Sequence, residues 1–278
     1  MGYNEGVKET IPKKSLGQHW LHDSASLEAI CDGADVRAGD TVLEVGPGLG
    51  TLTRKLLQRG AHVTAVEFDK ILAANLKAGL LRSGSISPKV VDNLTVVESD
   101  ILSFDLTQLP AGYKVVANIP YYLTSNLIRV LTESDNPFSY AALLIQKEVA
   151  ERVVAQPGQM SILSVSAQYY CDVSLGVFVP AKLFTPPPKV DSQVLVLRYR
   201  ENSLFTDVDT KLFFQIVKAG FSQKRKTLLN SLSAGLHLSK EDAKALLQQA
   251  GIDPKSRAQA LSLSDWYRVY VSLRSFER

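Results

Sequence analysis

The sequence is poor in the features that mark out special classes of protein. Only 2 cysteines occur in 278 residues, Cys31 and Cys171, far apart and each among apolar neighbours. That is too few for a disulfide scaffold or a cysteine-rich zinc site, and it points to a reducing compartment, the cytoplasm. The 4 histidines, His19, His22, His62 and His237, fall at no ligand-like spacing, so no metal site is expected. No apolar run approaches the roughly 20 residues of a membrane-spanning helix, so no membrane partner is expected. Met1 to Pro12 is polar and mixed in charge, unlike a secretory leader. Charge of one sign is also scarce: the net value of +3 is too small by itself to indicate a nucleic-acid partner.

The distribution of charge says more. Residues 201–278 carry 12 Lys and Arg against 8 Asp and Glu, whereas the first 200 carry 19 against 20. The excess gathers at Lys224-Arg225-Lys226, a run that suits either a solvated helix face or a grip on phosphates.

Up to Arg200, short β-type runs alternate with helical stretches, the pattern of a doubly wound α/β sheet. Strands are predicted at Thr41–Val45, His62–Val66, Leu94–Val97, Tyr113–Ala117 and Ala141–Gln146. Helices are predicted at Leu52–Arg59, from Asp69 to about Leu80, at Thr124–Thr132 and at Val149–Val154. Asp23 reads as the N-cap of an earlier helix carrying Leu27, Ile30 and Cys31 on one face. Two more strands, Val173–Pro180 and Gln193–Tyr199, follow with no helix between them, which predicts an antiparallel closure of a parallel sheet. The loop Phe184-Thr185-Pro186-Pro187-Pro188 between them is expected to lie outside any sheet, because proline cannot donate to a ladder. After Arg200 a polar stretch leads into short amphipathic helices. The expected architecture is α/β: a Rossmann-like domain over residues 1–202 and a small all-helical domain over residues 203–278.

Chemistry-bearing residues collect at the predicted strand ends. Glu44-Val45-Gly46-Pro47-Gly48-Leu49-Gly50 follows a strand and opens a helix, and its glycines let a ligand approach the backbone. The spacing is G-x-G-x-G, distinct from the G-x-G-x-x-G of dinucleotide enzymes. Glu44 is placed to hold an ammonium group, Glu67 at the next strand end to accept from ribose hydroxyls, and Asp100 at the third to accept from an adenine amine. Capping of the following helices is the plainer role for Glu67 and Asp100. Asn118-Ile119-Pro120-Tyr121 ends the fourth strand. The Asn118 side-chain oxygen and the Ile119 carbonyl, fixed by Pro120, are suited to accept from an aromatic amine and localise its lone pair, while Tyr121 offers a stacking face.

With these residues in hand, the chain resembles the ribosomal RNA adenine dimethyltransferases along nearly its whole length. Lys13 to Leu21 is similar to that family's N-terminal signature, Glu44 to Gly50 to its methyl-donor loop, Asn118 to Tyr121 to its catalytic motif and Phe221 to Leu228 to a basic C-terminal stretch. The resemblance implies a class I methyltransferase fold and S-adenosylmethionine as methyl donor, held by Gln18, His19, Leu21, Glu44, Gly46, Gly48, Glu67, Asp100, Ile101 and Asn118. It implies catalysis by Asn118, Ile119, Pro120 and Tyr121, with Phe184 as a second aromatic against the target adenine. Lys13, Lys14, Lys224, Arg225 and Lys226 are the expected RNA contacts. The family often has asparagine where His19 stands, which leaves a role for the His19 side chain open. The implied partner is small-subunit rRNA in an assembling ribosomal particle, with no obligate protein partner. Alternatives are a large-subunit enzyme of the antibiotic-resistance type and a ribosome-assembly factor with secondary catalysis. A nucleotide-dependent oxidoreductase would fit the glycine loop but leaves Asn118 to Tyr121 and Phe184 unexplained.

Overall fold

A computed structural model describes residues 17–276. In chain order the elements are β1 (Trp20–Leu21), α1 (Ser24–Gly33), β2 (Thr41–Val45), α2 (Thr51–Gln58), β3 (His62–Glu67), α3 (Lys70–Arg82), α4 (Pro88–Val91), β4 (Leu94–Glu98), β5 (Lys114–Asn118), α5 (Thr124–Thr132), β6 (Tyr140–Gln146), α6 (Lys147–Val153), α7 (Ile162–Tyr170), β7 (Cys171–Val179), β8 (Phe184–Thr185), β9 (Ser192–Tyr199), α8 (Thr210–Phe221), α9 (Leu228–Gly235), α10 (Lys240–Gln249) and α11 (Leu263–Phe276). Seven strands form one sheet in the order β4-β3-β2-β5-β6-β9-β7. The first five are parallel, and β9 is antiparallel to both β6 and β7. The chain winds outward from β2 to β4 and then restarts at β5, on the other side of β2. That reversal opens a crevice at the carboxyl ends of β2 and β5, where open α/β sheets take ligands.

Strand periodicity decides which side chains form the two buried layers. Val42, Ala65, Val116, Ala142, Leu144 and Val194 pack one face, under helices that contribute Leu27, Ile30, Leu56 and Leu76. Leu43, Val45, Val66, Val115, Ala117, Leu143, Ile145 and Leu195 pack the other, with Leu127, Ile128, Leu131 and Val153. Both faces are covered, so the central strands read as apolar runs without polar alternation. Cys31 and Cys171 are fully buried free thiols within these layers, and burial pushes both up to about 12. Asp23 caps α1 by accepting from the Ser26 amide at 2.8 Å.

A third cluster joins α8, α9, α10 and α11 around Phe213, Val217, Leu232, Leu247 and the fully buried Trp266. It also takes in Met160, Val165 and Tyr169, which precede residue 203. Helix α7, not anticipated from the sequence, therefore belongs to the sheet layer through Ala167 and to the helical cluster through Val165 and Tyr169. Its N-terminus is set by a reciprocal cap in which the Ser161 and Ser164 side chains each accept from the other's backbone amide.

One expectation is corrected. Phe184 and Thr185 do enter a sheet: they pair antiparallel with β1, Leu21 opposite Phe184 and Trp20 opposite Thr185. The prolines lie immediately after this short strand, so they limit its length to two residues without preventing it.

Candidate active site

The side of the crevice where the methyl donor is expected grows out of β2 and β3. Beyond Val45 the backbone turns through Gly46, Gly48 and Gly50 at φ +67, +57 and +80, a region only glycine occupies without strain. A Cβ added to Gly46 would meet nothing within 4 Å, whereas one on Gly50 would stand 2.8 Å from Leu76 Cδ1. Gly46 thus leaves open cavity for a ligand, and Gly50 lets α2 and α3 pack closely.

Glu67 is locked from both sides. Its Oε2 accepts from the Gly48 amide at 3.0 Å and its Oε1 from the Asp69 amide at 2.8 Å. Burial raises its pKa, and these backbone donors oppose the shift. Asp69, not Glu67, caps α3, taking the Ile71 and Leu72 amides at 2.9 and 3.3 Å. Glu67 therefore fixes the glycine loop and keeps lone pairs for a ligand. Asp100 is exposed and accepts from the Leu102 amide at 2.9 Å, a turn-capping bond that occupies one oxygen.

Glu44 is 1% exposed, and neither carboxyl oxygen makes a hydrogen bond of good geometry. The nearby Thr53 hydroxyl, itself buried and unsatisfied, lowers its pKa a little. Burial dominates and the negative charge of Glu67 adds to it, so the carboxyl is held up at about 8. A buried acid without a partner is costly, and an arriving cation would relieve it.

The acceptor side is built across long stretches of chain. Asn118, at the end of β5, donates its Nδ2–H to the His19 carbonyl at 3.1 Å, which leaves Oδ1 as the side chain's acceptor. The Ile119 amide donates to the Leu144 carbonyl at 3.2 Å, anchoring the turn to β6. His19 Nδ1 lies 2.7 Å from the Pro186 carbonyl, so this nitrogen carries the proton. The His19 and Tyr121 rings are stacked, with centroids 6.1 Å apart. The Tyr121 hydroxyl bonds the Ser192 hydroxyl at 2.9 Å, and burial raises the phenol's pKa. Phe184 is only 4% exposed, held beside Leu21 by the β1–β8 pairing.

These groups meet in one cavity of about 290 Å³. Its lining includes Gln18, His19, Leu21, Glu44, Gly46, Gly48, Glu67, Asp100, Ile101, Asn118, Ile119, Pro120, Tyr121 and Phe184, all of the expected donor-binding and catalytic residues. Trp20, which falls in the N-terminal signature but was given no role, also lines it, as do Phe68 and Tyr122, which were not anticipated. The Trp20 Nε1 lies 3.4 Å from where a Gly48 Cβ would be, so the indole packs on the glycine loop. Phe68 and Tyr122 are 63% and 67% exposed, which in sequence looks like unremarkable surface; only their position at the cavity singles them out. Lys224, Arg225 and Lys226 are exposed in the turn between α8 and α9 and form no ion pair among the described residues. Lys13 and Lys14 lie outside the described residues. Among the described residues no group of three or more His, Cys, Asp or Glu side chains is arranged to hold a metal, and no helix is long and apolar enough to cross a membrane.

A sheet reversed at β2/β5, a glycine loop after β2 and acids at successive strand ends define a Rossmann-like methyltransferase domain of the class I type. The solved structures agree. The 23S rRNA methyltransferase ErmE superposes with a TM-score of 0.72 at 28% identity, covering 92% of this chain and 99% of its own. A dimethyladenosine transferase from Plasmodium falciparum does so at 0.76 and 28%, covering 92% and 98%. A "Ribosomal RNA small subunit methyltransferase A" from Dehalococcoides mccartyi is 40% identical over 257 residues, 91% of this chain and 86% of the relative. One of the same name from Clostridioides difficile is 38% identical over 277 residues, 95% and 93% of the two chains. The family model "Ribosomal RNA adenine dimethylase" matches residues 11–275. The chain belongs to the ribosomal RNA adenine dimethylase family, whose methyl donor is S-adenosylmethionine.

Proposed function

We propose that this protein transfers methyl groups from S-adenosylmethionine to N6 of two adjacent adenosines near the 3′ end of small-subunit rRNA, giving N6,N6-dimethyladenosine as the ribosomal particle matures in the cytoplasm. The observation that carries this is the meeting, in one cavity, of the strand-end acids Glu44, Glu67 and Asp100 with Asn118, Ile119 and Tyr121. The small-subunit target is favoured over the large-subunit one because near-full-length relatives at 40% and 38% identity bear the small-subunit name, against 28% for the 23S enzyme.

The residues present fit the donor. The open space at Gly46 would admit it against the backbone, Glu67 would accept from its ribose hydroxyls, and Asp100 would accept from its adenine amine beside Phe68 and Ile101. The orphaned acid Glu44 suits its ammonium group. The donor supplies an electrophilic sulfonium methyl. The adenine amine is a weak nucleophile because its lone pair is delocalised into the ring. Asn118 Oδ1 and the Ile119 carbonyl accept from its N–H bonds and draw that lone pair out, acting as preorganised dipoles on charge that develops during attack. Tyr121 and Phe184 bound the space for the base, which leaves its stack at a cost of a few kcal/mol. This scheme calls for no metal and no nucleophilic side chain. Residues 203–278 form the RNA-binding part, with Lys224, Arg225 and Lys226, together with Lys13 and Lys14, neutralising phosphates without reading bases.

The test is incubation with radiolabelled S-adenosylmethionine and unmethylated small subunits, with large subunits in parallel, followed by nucleoside analysis. Label in N6,N6-dimethyladenosine from the small subunit is the expected result. Label from the large subunit alone moves the protein to the resistance type, and absence of donor binding by calorimetry overturns the proposal.

A further inference from the structure

Tyr122 is 67% exposed, more than any other large apolar side chain among the described residues. It follows Tyr121 in a 3₁₀ turn, Tyr121–Leu123, where successive side chains leave about a third of a turn apart. Tyr121 is tied to Ser192, and Tyr122 therefore departs in a different direction from the same turn. It makes no hydrogen bond and no ring contact with another aromatic side chain among the described residues. Its neighbour is Gly17: a Cβ built there would stand 3.8 Å from Tyr122 Cδ1 and Cε1, so the ring rests against a residue without a side chain. Single exposed aromatics are common on protein surfaces and need no explanation by themselves. This one lines the same cavity as Asn118, Tyr121 and Phe184, on the acceptor side, whereas exposed Phe68 follows Glu67 on the donor side.

Extrusion of a base strips its neighbour of a stacking partner on one face. A flat, exposed ring one residue away from the aromatic that bounds the base pocket is placed to replace that lost face. We propose that Tyr122 is a stacking platform for the nucleotide flanking the target adenosine, a proposal that rests on adenosine in RNA being the substrate. Stacking on an aromatic ring tolerates any base, so the platform would position the strand without reading its sequence. It would also hold a second adenine at the pocket mouth while the first is being methylated.

Tyr122→Phe, Tyr122→Leu and Tyr122→Ala separate this role from a structural one. Leu keeps an apolar brace against Gly17 but has no flat face; Phe keeps the face and loses only the hydroxyl. Methylation of small subunits is expected to show KM raised about tenfold in Leu and Ala, equivalent to about 1.4 kcal/mol, with kcat within about twofold and donor affinity unchanged. Phe should match the wild type. A short RNA carrying 2-aminopurine next to the target adenosine, bound with a non-reactive donor analogue, should show emission quenched by wild type and Phe and recovered in Leu and Ala. Wild-type KM in the Leu variant, or the same emission with wild type and Ala, overturns the platform while leaving the substrate assignment standing. Failure of the wild type to methylate either subunit overturns the substrate assignment, and the platform with it.

Discussion

On the proposed donor side of the cavity, Glu44, Glu67 and the glycine loop sit on adjacent parallel strands and on one continuous turn, and the bonds that fix Glu67 are short-range. Glu67 reaches Gly48, 19 residues away, and Asp69, 2 residues away. On the acceptor side the corresponding separations are 99 residues for Asn118 to His19, 167 for His19 to Pro186 and 71 for Tyr121 to Ser192. The donor half is thus preorganised by local geometry. The acceptor half exists only when the N-terminal segment, the proline loop and β9 have all closed on β5. Perturbing those remote segments should damage methyl acceptance before it damages donor binding.

The sharpest way to break this contrast is Asn118→Ala. It removes one of the two acceptors proposed to localise the amine lone pair, and kcat should fall about 100-fold or more. Donor affinity by calorimetry should stay within about fivefold, since Gly46, Glu67 and Asp100 are untouched; equal activity in the mutant would sink the assigned role.

Glu44 probes the donor side through pH. Burial pushes its carboxyl up to about 8 in the folded protein against 4.5 for an ordinary glutamate, so the folded state binds this proton more tightly. Stability of the donor-free protein is then full below the unfolded value and declines as pH rises from about 5 to about 8. Glu44→Gln should remove that decline, raising the thermal midpoint at pH 8 by a few degrees and leaving it nearly unchanged at pH 4. The same variant should weaken donor binding about tenfold and abolish the proton release expected when wild type binds donor near pH 7, measured in buffers of different ionisation enthalpy. A wild-type pH slope in the Gln variant means that Glu44 is not the source of the decline.

The smallest expected effect concerns the side chain of His19. His19→Phe keeps a ring opposite Tyr121 and deletes the bond to the Pro186 carbonyl, a hydrogen bond of about 0.5–1.5 kcal/mol. Methylation efficiency should fall about three- to tenfold with donor affinity unchanged. A loss confined to donor binding would place His19 on the wrong side of the comparison.

The same division explains what could be read from the sequence. The parallel strands, the G-x-G-x-G turn and the acids at strand ends are local patterns, so β2, β3 and their acids were located nearly to the residue. The antiparallel closure was legible from two strands with no helix between them, although β9 proved to lie inside β7. The β1–β8 pairing was missed because two residues carry no periodicity and the following prolines argue against a strand. Helix α7 was missed too: its cap is Ser161 with Ser164, lacking the acidic partner of the usual capping box. Phe68 and Tyr122 belong to none of the motifs read in the sequence, and only the folded cavity separates them from ordinary aromatic residues.

The placement of β9 between β6 and β7 has a consequence in time. The five parallel strands all lie before residue 147, so the strands that carry Glu44, Glu67 and Asn118 are synthesised first. The sheet itself stays incomplete until residues 192–199 have emerged to fill the gap between two strands made before them. Non-local strand insertion of this kind is slow, because loop-closure entropy must be met before any ladder bond forms. Ser192, the hydroxyl that holds Tyr121, is the first residue of that inserted strand. The strands that carry the donor-side acids are therefore made before the strand that ties Tyr121 in place.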